Sequence, residues 1–457
     1  MKKKPNIILI NCDDLGYGDL GCYGSTRNQT PALDRLASEG MHCTRFYMAS
    51  SICTPSRAGL LTGCYPQRIS MNRVLFPGEA EGLNPSEETL ASKLKGKGYE
   101  TALIGKWHLG DQPEFSPTKH GFDTYFGLPY SNDMGIQAGN PQSRIPLPLM
   151  KDDAICELQP DQSSLTDRYV QESINFIEKS LEKEKPFFLY FAHMYVHLPL
   201  YVPEDFRKKS KNGRYGAAVA CIDWAWDQLD KTLKRLSIEK NTIVLFTSDN
   251  GCRAQDGFGS NLPFRGGKFS TWEGGFRLPL LVRWPEAIPA GSTTDSLLCS
   301  LDLMPTLVEW SGAVHSSKNP IDGTSQTDLL GGNSSNSTRS CFAYYSQGNL
   351  AAITDGRWKL HFCMREDWDD PLKPFSALFD LSNDPSEKED VRRTNPDVIK
   401  RMEAFANIIR EELGDAFKGI KGKHVRPCGK VHNPAPIATD DEDHPYVIAE
   451  YDLMERG

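Results

Sequence analysis

Apolar positions along the chain fall into two alternating rhythms. Short, almost unbroken apolar runs at 6–12, 99–104, 187–192, 242–247 and 278–282 predict strands covered on both faces. Helical patterns over 87–95, 165–181, 215–236 and 301–311 fall between them. Another helix opens at Thr30-Pro31, where a cap hydroxyl precedes proline at the first helical position, and closes at Gly40. Such alternation predicts an α/β fold with a mainly parallel central sheet and helices on both sides.

The rhythm changes between His315 and Ser340, a stretch rich in Ser, Asn, Gly and Thr that reads as a linker or long surface loop. Beyond it come short strands near 341–345, 351–354, 358–362 and 378–380, with Asp355-Gly356 as a hairpin turn, then a helix over 396–412. This divides the chain into an α/β unit over 1–335 and a smaller antiparallel α+β subdomain over 336–457. The segment after Lys421 reads as an irregular acidic tail.

Composition narrows the function classes. A net charge of −8 disfavours nucleic acid as a bulk partner, though a pocket can still be locally positive. No apolar run approaches the roughly 20 residues of a membrane helix. Met1-Lys2-Lys3-Lys4 resembles the start of a leader, but Asp13 and Asp14 follow the apolar run at once. The expectation is a chain that stays inside the cell or one whose leader has been removed. Twelve cysteines without a C-x-x-C pair argue against a disulfide framework or thiolate metal site. Most read as small buried hydrophobes.

Candidate chemistry gathers where strands end. Asp13-Asp14 closes the first strand and Asp249-Asn250 closes the one at 242–247. Hard oxygen donors at the ends of two buried strands suit calcium or magnesium, and no His/Cys cluster points to zinc. Taken alone, either pair also fits a turn or a helix cap. Cys53 lies at a helix N-terminus, since Pro55 starts that helix, and Arg57 shares its face four residues on. An unmodified cysteine there could be a reactive thiolate.

The run Cys53-Thr54-Pro55-Ser56-Arg57-Ala58-Gly59-Leu60-Leu61-Thr62-Gly63 resembles the sulfatase signature, C-x-P-x-R followed by A-x-L-L-T-G. Gly105-Lys106-Trp107-His108-Leu109-Gly110 resembles the second signature of that family. His197-Leu198-Pro199, Gly267-Lys268 and Glu273 to Pro279 fit the same pattern, and Leu378 to Pro385 resembles its C-terminal hairpin motif. The stretches from Glu114 to Asp123 and from Gly259 to Lys268 look closest to arylsulfatase A and N-acetylgalactosamine-6-sulfatase.

This resemblance implies an alkaline-phosphatase-like fold and a sulfuric ester hydrolase in which Cys53 is oxidised to formylglycine by a separate maturation enzyme. It implies one Ca²⁺ held by Asp13, Asp14, Asp249, Asn250 and residue 53, with Arg57, Lys106 and Lys268 neutralising sulfate oxygens. One hydroxyl of hydrated formylglycine would attack sulfur to give a covalent sulfo-enzyme. His108 would take a proton from the other, and His197, with Lys268, would protonate the leaving oxygen. The implied substrate is an aryl sulfate or a sulfated carbohydrate such as a 6-O-sulfated galactose or N-acetylgalactosamine unit. Asp133, His193 and Trp272 are candidate pocket walls. His42, His120 and His361 have no supporting context. Two alternatives remain at this point: a phosphonate monoester or phosphodiester hydrolase of the same superfold, and a sulfated-glycan-binding protein with unmodified Cys53.

Overall fold

Asn6–Cys12 forms the middle strand of an 11-stranded sheet, and its side chains alternate between two cores. Ile8 and Ile10 face one way, packing with Leu33, Tyr169, Ile177, Trp226 and Leu229. Ile7 and Leu9 face the other, packing with Leu60, Leu94, Leu303 and Leu307. Each fully buried aliphatic side chain of this kind contributes about 1.5–3 kcal/mol, so both faces must be covered. The helices Pro31–Glu39, Leu165–Glu182 and Gly213–Arg235 cover the first face; Cys53–Thr62, Leu90–Lys95 and Leu303–Trp310 cover the second. These relations come from a computed structural model of the chain that describes residues 3–136, 145–253, 258–312 and 319–439.

The sheet is parallel through its centre, in the order Thr242–Ser248, Asn6–Cys12, Phe187–Ala192, Glu100–Gly105, Thr124–Gly127. Ile8 sits level with Leu189 on one side and Val244 on the other. The α/β expectation holds, with a correction at the flanks. Arg277–Arg283 pairs antiparallel with both Thr242–Ser248 and Met41–Tyr47, and two further strands beyond Thr124–Gly127 are antiparallel as well. Met41–Tyr47 escaped the apolar pattern because His42, Thr44 and Arg45 interrupt it at half-buried positions.

The C-terminal unit is antiparallel throughout: Phe342–Ser346, Asn349–Thr354, Trp358–Met364 and Lys373–Asp380, backed by the helix Pro396–Leu413. Asp355-Gly356 makes the expected turn, with Gly356 at φ +97°. Its apolar side shares one core with Tyr47, Tyr65, Phe276 and Leu301 of the larger sheet unit. A buried ionic cluster crosses the same boundary. Lys359 Nζ lies 3.2 Å from Glu273 and 2.9 Å from Glu387, and it donates to Thr271 O at 3.1 Å.

Two loop expectations change. Within the presumed linker, Thr327–Leu330 is helical and buries Leu329 and Leu330, while 313–318 lies outside the described residues. After Lys421 the chain returns to the larger unit, where Gly429–Lys430 pairs with Glu81–Gly82 and Arg426 grips Glu87 at 2.7 Å. The acidic stretch from 440 onward lies outside the described residues. None of the twelve cysteines forms a disulfide, and eight of them are buried. Among the described residues, no helix is long and apolar enough to cross a membrane.

Candidate active site

The parallel centre of the sheet fixes what meets what. Four adjacent strands run the same way, so the residues just past their carboxyl ends share one edge. Asp249 and Asn250 follow one strand, Asp13 and Asp14 the next. The segment holding His197 follows the third, and Lys106 and His108 follow the fourth. The helix Cys53–Thr62 brings residue 53 to that edge at its N-terminal end, and the loop before Glu273 delivers Lys268.

Local backbone chemistry holds these residues at unusual angles. Asp14, His108 and Phe269 all have left-handed backbones, at φ 61°, 62° and 70°. A non-glycine residue there costs about 1 kcal/mol or more, and such strain concentrates at functional sites. Gly105 makes the turn into Lys106 at φ +118°, where an added Cβ would stand 1.9 Å from Ala192 O. Only glycine fits that approach.

The side chains form a closed ionic lattice. Lys106 Nζ lies 2.6 Å from Asp13 Oδ2 and donates to Ser131 Oγ at 3.0 Å. Arg57 Nη2 lies 2.8 Å from Asp249 Oδ2 and 3.5 Å from Asp13 Oδ2. Lys268 Nζ lies 2.8 Å from Asp14 Oδ2, and Asn250 Nδ2 donates to Asp14 Oδ1 at 2.6 Å. Ser131 Oγ reaches His197 Nε2 at 3.2 Å, and His197 Nε2 lies 3.8 Å from Asp14 Oδ2. Every one of these side chains is buried.

Burial this complete demands partners, because an isolated buried charge is costly. Burial alone would raise Asp13, but Lys106, His197, Arg57 and Lys268 together hold its carboxyl well below the usual range. Burial and the Asp13 carboxylate push Asp249 up. Burial, aided by Lys106, lowers His108, and burial with Lys268 lowers His197, so both imidazoles are neutral near pH 7. Burial pushes the Cys53 thiol up against the pull of Lys106 and Lys268. That works against the reactive thiolate considered from sequence.

The donor set fits a hard cation. Asp13 Oδ1 and Asn250 Oδ1 are buried and accept no hydrogen bond among the described residues. Asp13, Asp14 and His197 offer ligand atoms within 4.8 Å of one another. Orphaned buried oxygens beside converging carboxylates are what calcium or magnesium binds.

Cys53, His108, His197 and Lys268 line one cavity of about 530 Å³, together with Ser131 and Asp133. Lys106, Arg57, Asp13, Asp14, Asp249 and Asn250 form the ionic layer bonded to that lining. Of the three proposed walls, only Asp133 lines the cavity. His193 is bonded to Thr166 Oγ1 at 3.1 Å, and Trp272 packs on His361, Phe375 and Phe379. His361 itself pairs with Glu387 at 2.9 Å in the inter-unit cluster. Sequence reasoning missed Ser131, which bridges Lys106 to His197, and Ser56, whose hydroxyl donates to Asp249 O. Ser56 lies inside the signature and carried a signal. Ser131 lies in no motif and carried none.

Comparison with known proteins gives the family. A family model described as Sulfatase matches residues 5–313, and one described as N-sulphoglucosamine sulphohydrolase, C-terminal, matches residues 267–412. The chain is 40% identical to N-acetylgalactosamine-6-sulfatase of Canis lupus familiaris, over 78% of this chain and 72% of that protein. It is 36% identical to arylsulfatase A of Homo sapiens, over 91% of this chain and 89% of that protein. Among solved structures, Ps i-CgsB in complex with k-i-k-neocarrahexaose superimposes with a TM-score of 0.77 at 32% identity, covering 89% of this chain and 92% of that one. The Sulfatase match spans more than half of the chain and these relatives cover most of it: the chain belongs to the sulfatase family, enzymes that hydrolyse sulfate monoesters.

Proposed function

We propose that the chain removes O-sulfate from a sulfated carbohydrate, using residue 53 as formylglycine and one calcium ion. The observation that carries this reading is the ionic lattice around residue 53. Three carboxylates, Asp13, Asp14 and Asp249, face three cations, Arg57, Lys106 and Lys268, with two acceptor oxygens left over. Such a lattice has no net charge to spare for an anionic ester, and a divalent cation would supply it. Asp13, Asp14, Asp249 and Asn250 would hold the ion, which contributes Lewis-acid polarisation of a sulfate oxygen. Formylglycine contributes a hydrated aldehyde as nucleophile.

The remaining steps belong to the chain's own side chains. Lys106, Lys268 and Arg57 are already anchored by carboxylates, so their charge is preorganised for sulfate oxygens at no further cost of ordering. His108 is neutral, with Nε2 fixed on Leu75 O at 3.0 Å and Nδ1 without a hydrogen-bond partner among the described residues. Its Nδ1 is the atom to accept the nucleophile's proton. Lys268, with His197 beside it on Asp14, supplies a proton to the departing oxygen. Similarity to N-acetylgalactosamine-6-sulfatase supports a 6-O-sulfated galactose or N-acetylgalactosamine unit as substrate. Maturation requires a partner enzyme that oxidises Cys53.

Tryptic digestion isolates residue 53 in the peptide 46–57. In an active preparation that peptide is expected about 18 Da lighter than its thiol form. A fully active preparation with only the thiol would overturn this reading. An inactive one with only the thiol would favour a glycan-binding protein.

A further inference from the structure

The cavity has a buried end and an open mouth. Cys53, His108, His197 and Lys268 are buried, whereas Phe76 is 48% exposed, Trp368 is 39% exposed and Asp369 is exposed. Trp368 and Asp369 belong to the loop joining Trp358–Met364 to Lys373–Asp380. That loop is tied at its base to the segment carrying Lys268. Thr271 N donates to Arg365 O at 3.1 Å, Arg365 N to Thr271 Oγ1 at 3.2 Å, and Trp272 Nε1 to Glu366 Oε2 at 2.6 Å. The Trp368 ring lies 5.3 Å from that of Phe269, the residue next to Lys268. Anion site and mouth are therefore held in one fixed relation.

The mouth combines two chemistries. Exposed aromatic faces suit the C–H face of a pyranose, and carboxylates accept hydrogen bonds from its hydroxyls. Asp133, on the cavity wall, has a buried Oδ1 with no hydrogen-bond partner among the described residues. Arg253 also reaches the cavity, from the side of Asp14 and Tyr215. Among the described lining residues Arg253 is the one guanidinium, and against it Asp133 and Asp369 disfavour a second anionic group close to the reacting sulfate. We infer that Trp368 and Asp369 form a specificity subsite for a hydroxyl-bearing pyranose that carries one sulfate and no other charge. This inference rests on the carbohydrate sulfatase reading above and deepens it.

The test uses the full matured chain and a panel of mono- and disulfated methyl pyranosides, with inorganic sulfate as a probe of the buried end alone. On the best monosulfated sugar, Trp368→Ala is expected to lower kcat/KM about tenfold, while the inhibition constant of inorganic sulfate stays within about twofold. Asp369→Lys is expected to raise turnover of disulfated relative to monosulfated sugars by about tenfold. Unchanged sugar turnover in Trp368→Ala, an equal weakening of inorganic sulfate, or an unchanged ratio in Asp369→Lys each overturns the subsite. Wild-type chain that cleaves 4-nitrophenyl sulfate but no sugar in the panel overturns it too, and leaves sulfate-ester hydrolysis standing. A matured chain that cleaves neither overturns both.

Discussion

Cys53→Ala is expected to abolish sulfate-ester turnover, lowering kcat/KM by at least about 10⁴-fold, because it removes the nucleophile itself. The fold should survive. Residue 53 is 3% exposed and its sulfur is small, with Ile52, Val74 and Phe269 as apolar neighbours. Alanine keeps the Cβ and a good helix-forming backbone at the first position of the helix Cys53–Thr62. Thermal unfolding should therefore shift by no more than about 4 °C. Retained turnover in this variant would refute the role given to residue 53.

Lys106→Ala is expected to fail in a different way. Its ammonium is wholly buried, 2.6 Å from Asp13 and bonded to Ser131. Removing it takes a preorganised cation from the anion site, worth about 10³-fold in kcat/KM. It also strips Asp13 of its nearest counter-charge, and losing one partner of a buried pair costs roughly 3–5 kcal/mol. Activity and stability should fall together, as seen by steady-state kinetics and urea unfolding. Lys106→Arg should rescue little, since a planar fork cannot take the place of a compact ammonium between Asp13 and Ser131. Full stability in Lys106→Ala would show that the lattice does not depend on this pair. The two variants thus separate a residue that reacts from one that also holds the site together.

How much of this was legible follows from how far each signal reaches along the chain. Strands buried on both faces announce themselves locally, so the apolar runs 6–12 and 187–192 match the observed strands residue for residue. Asp13-Asp14 and Asp249-Asn250 were readable because chemistry at a strand's carboxyl end follows directly from the strand. The flanking strands were less readable. Met41–Tyr47 mixes polar and apolar residues, and nothing local states that Arg277–Arg283 runs antiparallel to its neighbours.

The cavity wall was the least legible part. Ser131 acts only because the sheet brings Lys106 and His197 to it, and Trp368 reaches the mouth only because its hairpin is tied to Thr271, almost a hundred positions earlier. Trp272 misled for a related reason. Its neighbours in sequence line the site, while its own ring turns away to cover His361 and Phe379.

The most direct test compares 4-nitrophenyl sulfate with the matching phosphate monoester, phosphate diester and phosphonate on matured chain. A site built on Arg57, Lys106 and Lys268 around residue 53 is expected to favour the sulfate by at least about 100-fold in kcat/KM. Equal or faster turnover of any of the phosphorus esters would contradict the account.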